Sequence, residues 1–107
     1  MEKRKLGKSG LLIRPVGLGC AAIGGSYSRN GKPSGRGPVV AAEVIKAIHL
    51  ALDHEIRLFD VGNIYGAGDA ERLLGKALAS SGHGKNAVLQ VKFGASFDEV
   101  TRQQIDY

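Results

Sequence analysis

The sequence predicts an α/β protein that opens with a β-hairpin and continues as alternating strands and helices. Short apolar runs typical of strands occur at 15–19, 56–60 and 87–93. Two segments with apolar residues at helical spacing, 39–54 and 69–80, separate them. Strands that alternate with helices in this way favour parallel pairing through crossover connections.

The N-terminal part is predicted to form the hairpin, over residues 3–13. Its two strands, 3–6 and 11–13, flank the turn-like run Gly7-Lys8-Ser9-Gly10. The first strand after the hairpin, Pro15 to Gly19, is expected to be short and buried. The polar segment from Gly24 to Pro38 is rich in Gly and Ser, which indicates a long loop.

The two helices are predicted from their apolar faces. In the helix over 39–54, Pro38 suits the first turn because its missing N–H would have no partner there. In the helix over 69–80, Asp69 is placed to cap the N-terminus and Gly82 to end the helix. The inward-facing residues are Ala41, Val44, Ile45, Ile48 and Leu52 in one helix, and Leu73, Leu74, Ala77 and Leu78 in the other. Residues 94–107 match no pattern and are expected to be loop.

Composition narrows the possible function classes. The 107 residues suit one domain, and the net charge of +5 is densest at Lys3 to Lys8, where no aromatic residue is interleaved. This favours a solvated surface over a nucleic-acid site. Cys20 is the only cysteine, so neither an internal disulfide nor zinc-ligand spacing is present. No apolar stretch approaches the length of a membrane span or a signal core, so a cytoplasmic protein without a membrane partner is expected.

Asp60, Tyr65 and Lys92 are the candidate catalytic residues. Asp60 and Lys92 end two predicted parallel strands, so both should lie at the face where α/β folds place their chemistry. Reduction of a carbonyl requires a proton donor, and a lysine ammonium beside a tyrosine favours the phenolate, while an aspartate keeps the lysine charged. Taken singly, each residue has a structural alternative. Asp60 would form a turn at the end of a strand, Tyr65 would anchor a loop, and Lys92 would be a solvated residue at a strand end.

The run Phe59-Asp60-Val61-Gly62-Asn63-Ile64-Tyr65-Gly66-Ala67-Gly68-Asp69-Ala70-Glu71-Arg72-Leu73-Leu74-Gly75-Lys76-Ala77-Leu78 resembles the signature of the aldo-keto reductases. That family often has Thr-Ala where this chain has Val61-Gly62, and often Ser where it has Ala70. Gly17-Leu18-Gly19 and the run Val91-Lys92-Phe93-Gly94 match the family in the same order. The resemblance extends from about Lys5 to Gly94.

The resemblance implies part of a (β/α)8 TIM barrel, with the hairpin followed by three barrel strands and two helices. It implies an NAD(P)(H)-dependent oxidoreductase acting on small carbonyl or sugar substrates, without a metal. Tyr65 would donate the proton, Lys92 would lower the pKa of the tyrosine, and Asp60 would pair with the lysine. The nicotinamide end of NADP(H) or NAD(H) would lie against Gly19, Cys20, Ala21 and Asp60. The family's active-site histidine follows a fourth strand and has no match here; His49, His54 and His83 are expected on the surface.

Several alternatives accompany this interpretation. Gly17-x-Gly19-x-x-Ala22 fits the dinucleotide fingerprint formally, but it opens onto a loop and not into a helix. A P-loop is excluded because Glu2 stands where its leading glycine belongs. We expect the chain to be the N-terminal part of a reductase and to be inactive by itself. The other hypotheses are a non-catalytic module that associates through its open sheet edges with another chain or copy, and a small binding protein of unrelated function.

Overall fold

The computed structural model describes residues 2–98 and 100–105, which form an α/β structure with three small sheets. The strands are β1 (Arg4–Lys5), β2 (Leu12–Ile13), β3 (Leu18–Gly19), β4 (Tyr27–Arg29), β5 (Lys32–Ser34), β6 (Leu58–Gly62), β7 (Val88–Lys92), β8 (Ser96–Phe97) and β9 (Gln103–Ile105). The α-helices are α1 (Ala41–Asp53) and α2 (Asp69–Ser80). Short 3₁₀ turns cover Tyr65–Gly68 and Gly84–Asn86.

The predicted hairpin and the predicted parallel sheet are both confirmed. β1 pairs antiparallel with β2, and β3, β6 and β7 form a parallel sheet in the order β3-β6-β7. Among the described residues β6 is therefore the central strand, and β3 and β7 are the two edges. Neither helix in the described ranges is long and apolar enough to cross a membrane.

The core lies between the helices and one face of this sheet. Phe59 and Val61 of β6 point towards the helices and are buried, whereas Asp60 between them belongs to the opposite face. The helices contribute the buried residues Val44, Ile48, Leu52, Ala70, Leu74 and Ala77. All of these except Ala70 were predicted to face inward, whereas Ala41, predicted likewise, is exposed in the first turn of α1. Because the helices cover one face only, the other face of β6 is left for polar side chains.

Several predicted boundaries require correction. The first helix begins at Ala41, after an extended Val40, so Pro38 precedes the helix and does not occupy its first turn. Gly68 is the N-cap of α2, in the left-handed conformation, and Asp69 is the first helical residue. The strand expected to be buried at 15–19 is reduced to β3 and is partly exposed, because no neighbour covers its outer side.

The largest correction concerns two segments that were expected to be loops. Within 24–38, β4 and β5 form an antiparallel hairpin whose turn at Asn30-Gly31 has positive φ at both residues. Within 94–107, β8 and β9 form a second hairpin, and β9 pairs in parallel with β4 to make a four-stranded sheet. Residues 99, 106 and 107 of that segment lie outside the described residues. The long-range pairing of β4 with β9 leaves no periodic signal in either segment.

Histidine placement is partly as predicted. His54 and His83 are exposed, but His49 is half-buried between the two helices. Its Nε2 lies 2.8 Å from the carbonyl oxygen of Ala77 and 3.1 Å from Ser80 Oγ. The side chain is thus a polar contact between α1 and α2, and the expectation of a surface residue was wrong because the apolar pattern does not show which helix packs alongside.

Candidate active site

Tyr65, Lys92 and Asp60 meet on the sheet face that the helices leave open. Lys92 Nζ donates a hydrogen bond to Tyr65 Oη at 2.9 Å and forms an ion pair with Asp60 Oδ1 at 2.8 Å. The ammonium also lies 5.2 Å from the centre of the Tyr65 ring. The Lys92 ammonium therefore bridges a carboxylate and a phenol, and it donates one hydrogen bond to the phenolic oxygen.

Strand register explains why Lys92 and Asp60 are on the same face. Asp60 pairs with Gln90, and Gly62 pairs with Lys92. Because side chains alternate between the two faces of a sheet, all four positions belong to the face opposite the core-facing Val61. Lys92 is the last residue of β7, as predicted for a strand end, whereas Asp60 lies two residues before the end of β6. The lysine side chain spans the resulting offset between the two strands.

Gly62 makes room for the tyrosine. A Cβ built at this position would lie 3.2 Å from Cε2 of the Tyr65 ring, closer than most such contacts. The bare backbone of Gly62 therefore lets the ring rest against β6 and bring its hydroxyl to the lysine of the neighbouring strand. Glycine at this position is one of the departures from the family pattern, and here it directly borders the tyrosine.

The electrostatics keep Lys92 protonated. The hydrogen bond to the Asp60 carboxylate, and then the hydrogen bond to Tyr65, raise the pKa of Lys92 well above its ordinary value. Asp60 Oδ1 is shielded from solvent and accepts no hydrogen bond from elsewhere in the described part of the chain. The Lys92 ammonium thus supplies the compensating charge for that oxygen, and Lys92 can act as a cation and donor but not as a base.

Two further side chains belong to the site that sequence patterns did not identify. Gln90 Nε2 lies 3.5 Å from Asp60 Oδ2, and Asn63 donates from Nδ2 to the carbonyl oxygen of Ala95 at 2.7 Å. Gln90 could have been found from the sequence, because strand alternation places it on the same face as Lys92. No sequence pattern marks Asn63 as a site residue, because Ala95, whose carbonyl oxygen it contacts, lies 32 residues away in an irregular segment.

The predicted cofactor-contacting residues fall into two groups. Gly19, which pairs with Asp60 in the sheet, and Ala21 are both exposed, and a Cβ at Gly19 would meet no atom within 4 Å. Cys20 between them is fully buried, and its backbone N–H donates to the carbonyl oxygen of Asp60 at 2.8 Å. Burial, with a smaller contribution from the Asp60 charge, raises the pKa of the Cys20 thiol to about 11. Its side chain is part of the core, and the open surface here belongs to its two small neighbours.

The hollow beside the tyrosine is small. It is lined by Gly62, Asn63, Ile64, Tyr65, Lys92, Phe93 and Ala95 and has a volume of about 100 Å³. Pockets that enclose small-molecule ligands usually measure roughly 300–1,000 Å³. The described residues thus present the three candidate catalytic side chains on an open face and do not enclose a space of cofactor size.

Comparison with known proteins agrees with this geometry. The aldo/keto reductase family model matches residues 15–106. A pyridoxal 4-dehydrogenase from Microbacterium luteolum is 37% identical over 93 residues, which make up 87% of this chain and 24% of that protein. The chain therefore spans about a quarter of the length of this relative.

Solved structures show the same relationship. An aldo-keto reductase from Bacillus halodurans in its holo form superposes with a TM-score of 0.71 and 25% identity, over 92% of this chain and 28% of that chain. A protein of the same family from Pseudomonas aeruginosa gives a TM-score of 0.66 and 28% identity, over 98% of this chain and 35% of that chain. With its family model matched over most of its length, this chain belongs to the aldo/keto reductase family.

Proposed function

We propose that this chain forms the proton-donor part of an NAD(P)(H)-dependent oxidoreductase that interconverts aldehydes or ketones with the corresponding alcohols, sugars included. The observation that carries this proposal is the Lys92 ammonium placed 2.9 Å from Tyr65 Oη and 2.8 Å from Asp60 Oδ1. The family itself supports an oxidoreductase. The relative named pyridoxal 4-dehydrogenase makes pyridoxal a substrate to test.

Each side chain has a distinct role in the proposal. Tyr65 donates its phenolic proton to the carbonyl oxygen as negative charge develops there. Lys92 donates a hydrogen bond to the phenolic oxygen and stabilises the phenolate that remains. Asp60 holds the lysine in place and keeps it charged. In the oxidising direction the same groups act in reverse, with the phenolate accepting the proton of the alcohol.

The residues around Asp60 fit the reacting end of a nicotinamide cofactor. Exposed small residues, Gly19 and Ala21, border Asp60 without a side chain that would block close approach. Bound NAD(P)H would supply the hydride to the carbonyl carbon. Cys20 would contribute only indirectly, by anchoring this edge through its hydrogen bond to β6.

We further propose that the three parallel strands are part of a (β/α)8 barrel. Helices on one face of the sheet and the polar site on the other match the layering of such a barrel. Two of the relatives are about four times as long as the matched region, which covers 24% of one and 28% of the other. The remaining barrel would enclose the cofactor that the hollow of about 100 Å³ cannot hold.

The role of Tyr65 can be tested in a chimeric enzyme. Residues 15–105 would replace the matching region of the Bacillus halodurans relative. Reduction of simple aldehydes with NADPH or NADH, and oxidation of pyridoxal with NADP+ or NAD+, would be followed by the absorbance of the reduced cofactor. We expect Tyr65→Phe to lower kcat by roughly 10²–10⁴-fold, as for loss of a general acid. Tyr27→Phe is the matched control: it also removes one phenolic hydroxyl, but from β4, and it should retain activity.

The outcomes separate the parts of the proposal. Full activity in Tyr65→Phe would exclude this tyrosine as the proton donor. We expect the 107-residue chain alone to show no turnover, because its site lies on an open face. Robust reduction of an aldehyde by the isolated chain would contradict the requirement for the rest of the barrel.

A further inference from the structure

The loop that carries Tyr65 has an unusual backbone. Gly66, Ala67 and Gly68 follow the tyrosine directly, with φ of 59°, 52° and 95°. Three consecutive left-handed residues are rare, and Ala67 has no glycine freedom to offset its conformation. These three residues are also buried. Such a conformation persists only when surrounding contacts hold it.

Two arginines and one carboxylate hold this loop. Arg102 Nη2 donates to the carbonyl oxygen of Gly66 at 2.7 Å, and Arg72 Nη2 donates to that of Ala67 at 3.3 Å. Both guanidinium groups also pair with Asp69, Arg72 with Oδ1 at 2.7 Å and Arg102 with Oδ2 at 3.0 Å. Partial burial opposes ionisation of Asp69, but the Arg72 hydrogen bond and the Arg102 charge offset it and lower the pKa of this carboxyl. We call these three side chains the Asp69 clamp.

Arg102 comes from a distant turn that is itself built to present it. Asp98 Oδ1 accepts hydrogen bonds from the backbone N–H of Val100 at 2.9 Å and of Thr101 at 2.7 Å. The Arg102 N–H then closes the turn on the Asp98 carbonyl oxygen at 2.7 Å. Arg102 has a φ of 58°, a conformation that glycine adopts at lower cost. An arginine here indicates that its side chain compensates for the backbone strain.

We propose that Arg102 is a positioning residue for Tyr65. The guanidinium holds the first carbonyl after the tyrosine and, through Asp69, ties that carbonyl to the start of α2. The same Nη2 also lies 3.2 Å from the carbonyl oxygen of Ser26, the residue before β4, so its two hydrogens are shared among three acceptors. Arg102 thus keeps the loop in the conformation that directs Tyr65 Oη at Lys92. The positioning of Tyr65 by Arg102 is independent of the proposed function; only the expected effect on catalysis rests on it.

The test uses the whole 107-residue chain and a spectroscopic readout at Tyr65. In protein labelled with ¹³Cζ-tyrosine, the Tyr65 signal is assigned by its loss in Tyr65→Phe, and the nuclear Overhauser contact between the Lys92 ε-methylene and the Tyr65 ring protons is measured. We expect Arg102→Gly to remove most of that contact and to shift the Tyr65 signal towards that of free tyrosine. Glycine relieves the φ strain at this position, so the circular dichroism spectrum should be retained.

Two further variants control the interpretation. Arg102→Lys keeps the positive charge on a shorter and more flexible side chain without the planar guanidinium, so it should restore the contact only in part. Arg36→Gly removes an arginine from the exposed segment before α1 and should leave both Tyr65 signals unchanged. If Arg102→Gly does not fold, Arg102→Asn takes its place, because asparagine tolerates a positive φ and lacks the guanidinium, and a fully native Tyr65–Lys92 contact in it would overturn the proposal.

Failure of this inference is distinguishable from failure of the proposed function. A wild-type Tyr65 signal in folded Arg102→Gly would overturn the positioning role, whatever the chimera does. In the chimera, we expect Arg102→Gly to lower kcat by about 10-fold or more with KM changed less, because a displaced proton donor affects the transition state. Full activity of Tyr65→Phe in that chimera would refute the catalytic role and leave the spectroscopic result standing.

Discussion

Replacement of Gly66 by alanine should strongly destabilise the fold, because two independent costs coincide at this residue. Its φ of 59° costs a residue with a Cβ about 1–2 kcal/mol. The added Cβ would also lie 2.1 Å from the carbonyl oxygen of Gly24, a backbone atom that cannot rotate away. Overpacking of this kind typically costs about 1–3 kcal/mol. We therefore expect Gly66→Ala to lower the free energy of unfolding by about 3 kcal/mol or more.

Gly75→Ala is the matched control, and the opposite sign is expected. Gly75 lies in the middle of α2 on its exposed side, and a Cβ there would meet nothing within 4 Å. Alanine should stabilise that helix by about 0.5–1 kcal/mol. Urea unfolding followed by far-ultraviolet circular dichroism measures both variants. If Gly66→Ala costs less than about 1 kcal/mol, the close approach of the Tyr65 loop to Gly24 is wrong.

Two other predictions concern the thiol in the core and the open sheet edge. The pKa of the Cys20 thiol is raised to about 11, so between about pH 9 and 11 the unfolded chain loses this proton first and the free energy of unfolding falls as pH rises, by up to about 3 kcal/mol. The fall in the urea midpoint over that range should be shallower in Cys20→Ala, and an equally steep fall in both proteins would count against the prediction. Leu89 and Val91 on the edge strand β7 are about half exposed, so we expect concentration-dependent self-association through this edge. Val91→Lys should reduce it in sedimentation velocity experiments, whereas a wild-type protein that stays monomeric at every concentration would refute the expectation.

Local patterns were sufficient for the elements that pack against their sequence neighbours. The apolar faces of α1 and α2 and the apolar run at 56–60 are local features; the faces predicted the buried side of each helix, and the run predicted the strand β6. The parallel order of the strands also follows from their alternation with helices. For the candidate site, the residue types together with the resemblance to the aldo-keto reductase signature nominated Asp60, Tyr65 and Lys92, and these three residues lie in contact.

Pairings between distant segments could not be obtained in this way. The β4 and β9 strands are short, polar and separated by more than seventy residues in the chain, and neither has an apolar face that would mark it as a strand. The same holds for Arg102, whose bonds to Ser26 and Gly66 cross 76 and 36 residues. A pattern confined to one segment contains no information about which carbonyl a distant guanidinium will meet.

The sequence by itself predicted the α/β class and, through its resemblance to the family signature, the family and the candidate residues Asp60, Tyr65 and Lys92, because these depend on residue types in local motifs. Only the tertiary structure decided how the tyrosine is held. The bare backbone of Gly62 beneath its ring and the Asp69 clamp on the loop behind it arise from close approach of remote segments. Packing and long-range hydrogen bonds determine such approach, and these form only once the whole chain has folded.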